Sequence, residues 1–176
     1  PNVVLRAIDE AERAGFCNRR RGIDWGFAAD PFVYLSMEYD RKGRRLLIDG
    51  EFYRVGASFE EIARAILAEN PWGEPVIADS AEPRSNAELR ERGVRILAAK
   101  KGPGSIGHGM RWLQQLREIV IDPARCPNAA REFAGYALEA DGTGGVRSGY
   151  PDRDNHTIDA ARYACERDMH RGGVTF

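Results

Sequence analysis

Positive charge is not in surplus: 26 lysines and arginines stand against 27 aspartates and glutamates, a formal net charge of −1. That excludes a protein that holds nucleic acid by bulk charge and confines any such contact to local patches. Cysteine is scarce, with only Cys17, Cys126 and Cys165 and no Cys-x-x-Cys pair. Such a scattered, odd set excludes a disulfide framework or zinc-thiolate site and reads as reduced thiols of an intracellular protein. No apolar run approaches the roughly 18 residues a membrane span needs, and no secretory leader opens the chain. No G-x-x-x-x-G-K-[ST] loop occurs, so these residues hold no P-loop nucleotide site. The chain begins at Pro1 without a methionine, which suggests a piece of a longer protein.

What is present suits one globular domain: 176 residues, 43% hydrophobic and 30% charged. Residues 3–14 read as a helix ended by Gly15, and Arg19-Arg20-Arg21 as a basic lead-in to a strand at 22–26. Residues 32–39 and 45–53 follow as strands around the turn Asp40-Arg41-Lys42-Gly43, giving a three-stranded antiparallel meander. Ser58-Phe59-Glu60-Glu61 fits a capping box that opens a helix, stopped by Asn70-Pro71. Beyond it come a strand at 75–79, a helix at 85–92 capped by Gly93, and a strand at 94–99. The remainder reads as a helix at 105–117, a short strand at 118–122, a helix at 127–135, a glycine-rich stretch at 141–152 and a last helix at 154–169. This order predicts an α/β protein, a mixed sheet covered by helices, with 1–20 as a lead-in and 21–176 as one domain.

Three aspartates stand out by position. Asp24 interrupts an apolar strand between Ile23 and Trp25, Asp79 ends Val76-Ile77-Ala78, and Asp159 sits between Ile158 and Ala160 at the start of the last helix. A buried carboxylate is costly unless paired or bound to metal. If the strands of Asp24 and Asp79 are neighbours, they lie about 4.8 Å apart, and the two charges repel. A hard divalent cation relieves that, and oxygen-only ligation selects magnesium or manganese over zinc. Taken singly, Asp79 also suits a helix N-cap and Asp159 an exposed helix position; Asp24 has little structural use. Local cations available to a polyanion are Arg41, Lys42, Arg44 and Arg45 at the hairpin tip, and Lys100 and Lys101 after the strand at 94–99.

These residues also resemble a family. Gly22-Ile-Asp-Trp-Gly-Phe-Ala-Ala-Asp-Pro31 resembles the first nuclease motif of the large terminase subunits of tailed bacteriophages, and Val76-Ile-Ala-Asp-Ser80 the second. Asp154-Asn-His-Thr-Ile-Asp-Ala-Ala-Arg-Tyr-Ala164 resembles the third, the most specific of them. The resemblance implies a ribonuclease H-like nuclease domain that cuts concatemeric double-stranded viral DNA during packaging. It implies two divalent ions, Mg2+ or Mn2+, held by Asp24, Asp79 and Asp159, with Asp30, Lys100, Asp154 and His156 as secondary members of the site. By the same likeness the products carry 5′-phosphate and 3′-hydroxyl ends. The implied partners are DNA, an ATPase motor domain in the same full-length chain, the small terminase subunit and the portal protein, in the cytoplasm of an infected bacterium. Asp154 also suits a helix N-cap, Asp30 a turn before Pro31, and His156 a plain partly exposed position. Other readings remain: a junction resolvase or ribonuclease H of the same fold, an actin-like or sugar-kinase half-domain, or a non-catalytic DNA-binding module. Phe27 after Gly26, where such kinases place Thr or Ser, argues against the kinase, and the neutral net charge against the binding module.

Overall fold

In β2 (Arg19–Asp24) the side chains alternate between two buried faces, and that alternation organises the molecule. A computed structural model describes residues 2–26, 29–141 and 155–169, with side chains placed up to residue 135 of the middle segment. Ile23 points to one face, where it packs with Phe32, Tyr34, Ile62, Ile66 and Leu89. Gly22 and Asp24 turn to the other, beneath α6 (His156–Met169). A Cβ on Gly22 would meet the Ala160 carbonyl oxygen at 1.9 Å, so only glycine lets α6 lie this close to β2.

The expected meander is formed by β2, β3 (Phe32–Asp40) and β4 (Arg45–Arg54), paired antiparallel. Ser58 and Glu61 close the capping box at the head of α2 (Phe59–Glu69). This helix returns the chain so that β5 (Val76–Ala78) runs parallel beside β2, and β6 (Ile96–Ala98) parallel beside β5 after α3 (Pro83–Glu91). On the other face lie α4 (Ser105–Gln115), α5 (Pro127–Asp141) and α6, packed on Val33, Leu35, Met37 and Ile48.

Residues 3–14 do not form the expected helix. Val3–Leu5 is strand β1, which pairs parallel with β7 (Glu118–Ile121), and only Glu10–Ala14 is helical, as α1. The apolar residues at 3, 4, 5 and 8 mimic a helical stripe, but β-branched valines beside an open sheet edge gain more from pairing. Asn2 fixes the start by donating to the Leu113 and Leu116 carbonyls at 2.8 and 3.0 Å. The first strand of the meander begins at Arg19, so the arginine triplet is part of the sheet and not a lead-in to it. β7 lies between β4 and β1, giving a seven-stranded mixed sheet in the order β1-β7-β4-β3-β2-β5-β6. Most of the glycine-rich stretch and Asp154 lie outside the described residues.

Candidate active site

β2 and β5 end side by side. The Asp79 amide donates to the Ile23 carbonyl at 3.2 Å, which sets Asp79, just past β5, next to Asp24 at the end of β2. The loops beyond are stitched by Asn86, which is 1% exposed. Its amide donates to the Asp79 carbonyl at 2.8 Å and its side-chain oxygen accepts from the Trp25 indole at 2.9 Å. Asp159 comes from above, on the first turn of α6. The position of that turn is fixed by Glu132 of α5, a buried carboxylate that accepts from the Thr157 amide at 2.7 Å and the Thr157 hydroxyl at 2.6 Å.

Asp24, Asp79 and Asp159 line one cavity of about 500 Å3, together with Lys101, Arg162 and Tyr163. Each carboxylate already has a partner. His156 Nδ1 lies 3.0 Å from Asp24 Oδ2. Lys101 Nζ is 2.5 Å from Asp79 Oδ1, and the Tyr163 hydroxyl donates to Asp79 Oδ2 at 3.3 Å. Arg162 donates twice to Asp159 Oδ1, at 3.0 and 2.7 Å. Among the described residues, no three His, Cys, Asp or Glu side chains converge at metal-ligand spacing.

Electrostatics explains why such partners gather. Burial pushes the Asp24 carboxyl up to about 6, against the His156 hydrogen bond that lowers it, and the negative charges of Asp159 and Asp79 add to the rise. The Asp24 hydrogen bond in turn raises His156 above its ordinary value, against partial burial. Burial keeps the Tyr163 phenol protonated, as its bond to Asp79 requires. Three oxygen donors around one cavity, one of them buried and disfavoured as a bare anion, suit a hard divalent cation in donor type and charge. Such an ion would compete with Lys101 for Asp79 and with Arg162 for Oδ1 of Asp159.

The secondary residues separate. His156 is within the site, and its Nε2 lies 3.9 Å from Asp30 Oδ1, which places Asp30 at the rim. Lys100 is exposed, and its amide donates to Glu166 at 2.6 Å. The hairpin cations are not brought to the cavity. Asp24 pairs with Val33 at one end of β3, while Arg45 pairs with Asp40 at the other. That puts the hairpin tip about 20 Å away at roughly 3.3 Å per residue. There Arg41 pairs with Asp168, Arg45 with Asp40, and Arg44 donates to the Gln115 carbonyl. Sequence reasoning missed Arg162, Tyr163, Asn86 and Glu132. Arg162 and Tyr163 fall inside the quoted third motif, whereas Asn86 and Glu132 read as ordinary helix residues.

Comparison with known proteins follows the same geometry. Residues 24–167 match the terminase RNase H-like domain family. The large terminase subunit of Bacillus phage SPP1 is 44% identical over 170 residues, covering 96% of this chain and 40% of that protein. The chain thus spans about two fifths of the length of that relative. The crystal structure of the SPP1 large terminase nuclease domain with bound manganese superposes with a TM-score of 0.87 at 43% identity, covering 96% of this chain and 97% of that one. The nuclease domain of the P22 large terminase shares the fold at 14% identity, with a TM-score of 0.61 over 88% of this chain and 87% of that one.

Proposed function

This chain belongs to the terminase RNase H-like domain family of bacteriophage large terminases, and from that premise we propose that it is a metal-dependent endonuclease that cuts concatemeric double-stranded DNA during genome packaging. The observation that carries the proposal is the buried Asp24 at the end of β2, sharing one cavity with Asp79 and Asp159. Repelling carboxylates that share a cavity are costly to keep unless cations neutralise them. The manganese bound by the SPP1 nuclease domain supports a divalent ion as the cofactor of this domain.

Asp24, Asp79 and Asp159 would hold two divalent ions, magnesium or manganese. When bound, such ions make an attacking water acidic enough to react and stabilise the leaving 3′ oxygen, so that the products carry 5′-phosphate and 3′-hydroxyl ends. The residues of the chain prepare that reaction. His156, hydrogen-bonded to Asp24, orients that carboxylate and offers Nε2 to a water or phosphate oxygen at the rim beside Asp30. Lys101 and Arg162 stand beside Asp79 and Asp159 as the positive charges nearest an incoming phosphate. Lys100 and Lys101 contact the DNA backbone. A duplex that also reaches Arg41, Lys42, Arg44 and Arg45 has to run on for about 6 base pairs, at 3.4 Å each.

The longer relatives leave room for an ATPase motor in the same full-length chain, which holds the DNA while this domain cuts. The small terminase subunit and the portal protein complete the machine in the cytoplasm of the infected bacterium. Digestion of supercoiled plasmid with manganese, magnesium or EDTA tests the reading. Nicked and linear products with either metal, absent in EDTA and in Asp24→Asn, are the expected result. Cleavage that persists in excess EDTA overturns it.

A further inference from the structure

Beside the aspartate cavity lies a second one of about 470 Å3, with the opposite character. Lys100, Lys101, His108, Arg111 and Arg162 line it, against the single carboxylate of Glu166. That carboxylate is taken up by the Lys100 amide at 2.6 Å. The floor is the loop at 102–104, where Gly104 takes φ +76° and α4 begins without a side-chain cap.

The two cavities share a wall. Lys101, Arg162 and Tyr163 line both. The wall is built into the packing: Arg162 is 5% exposed, and a Cβ on Gly109 would lie 2.9 Å from Arg162 Cδ. A glycine on α4 is what admits the arginine stem between α4 and α6. A buried guanidinium is thus held between an acidic chamber and a basic one, while the hairpin cations lie at the far end of the sheet.

We infer that the basic cavity is a subsite for a backbone phosphate of the same DNA whose scissile phosphate enters the aspartate cavity, with Lys100 and Arg111 as its contacts and Arg162 as the shared wall. The inference rests on the nuclease reading of the neighbouring cavity. Its chemistry is that of a phosphodiester: cations converge on one small volume, and Lys101 and Arg162 already lie over the Tyr163 ring there, at 5.2 and 5.5 Å. Contacts of this kind hold the strand in place and carry no sequence preference. They also offset the repulsion that three aspartates present to a polyanion.

The test is a salt titration of duplex binding by Asp24→Asn, against the same chain carrying Lys100→Ala with Arg111→Ala, or Arg41→Ala with Lys42→Ala. Each lost phosphate contact lowers the slope of log affinity against log salt by about 0.9. The Lys100/Arg111 pair is expected to lose close to two such contacts, on duplexes of unrelated sequence alike, and the hairpin pair none. Lys100→Arg with Arg111→Lys restores the slope. A slope unaltered by the Lys100/Arg111 pair overturns the subsite, whatever the hairpin pair does. Plasmid cleavage by the unsubstituted chain separates the two claims: cleavage with an unaltered slope removes the subsite alone, and absent cleavage removes the nuclease reading.

Discussion

Asp24 is held in a place that opposes its own charge. Its folded pKa, about 6, lies above the ordinary 3.8 because burial disfavours the ionised form. A carboxyl raised in this way destabilises the folded chain fully above pH 6, and the cost fades as pH falls from about 6 to 4. In EDTA, Asp24→Asn is therefore expected to raise the melting temperature at pH 8 and to lose that advantage near pH 4. At about 1.4 kcal/mol per pKa unit the gain is at most roughly 3 kcal/mol. The lost His156 contact offsets part of it. An equal or lower melting temperature at pH 8 contradicts this account of the burial.

His156 touches the site through Asp24, so His156→Ala should slow cleavage less than Asp24→Ala does; equal losses would promote His156 to a primary ligand or an obligatory proton carrier. Legibility at this scale followed the surroundings. The three aspartates stand among apolar residues, so the sequence exposes them. Glu132 and Asn86 read as ordinary helix residues and Arg162 as one more position of the third motif, and only three-dimensional contact shows what each one holds.

Among the elements, the start of α6 depends on α5. Glu132 is 2% exposed and satisfies both the amide and the hydroxyl of Thr157. Its removal leaves two buried donors unpaired at the turn that carries His156 and Asp159. Glu132→Ala should cost about 2–4 kcal/mol in urea unfolding. It should also lower kcat, because the turn is no longer fixed. A melting curve and rate like those of the unsubstituted chain would show that α6 needs no such clamp. Elements with their own signal were legible, among them the capping box of α2 and the meander turn at Asp40. β1 was not, because a three-residue strand takes its identity from the partner β7, and that pairing spans more than a hundred residues of chain.

At the scale of the molecule, charge is segregated although the total is near zero. The sheet carries the aspartates at the ends of β2 and β5, the basic cavity beside them, and the hairpin cations at the opposite end. The order of strands and helices is enough to anticipate a mixed sheet under helices, while only the register of β3 shows that the hairpin cations and the site lie at opposite ends of it. The metal site is the central claim at this scale, and manganese titration followed by electron paramagnetic resonance tests it most directly. The free-ion signal should fall as ions bind the unsubstituted chain, and more of it should remain with Asp24→Asn, Asp79→Asn and Asp159→Asn at the same concentration. Equal loss of signal in all four chains would contradict the three aspartates as the ligands.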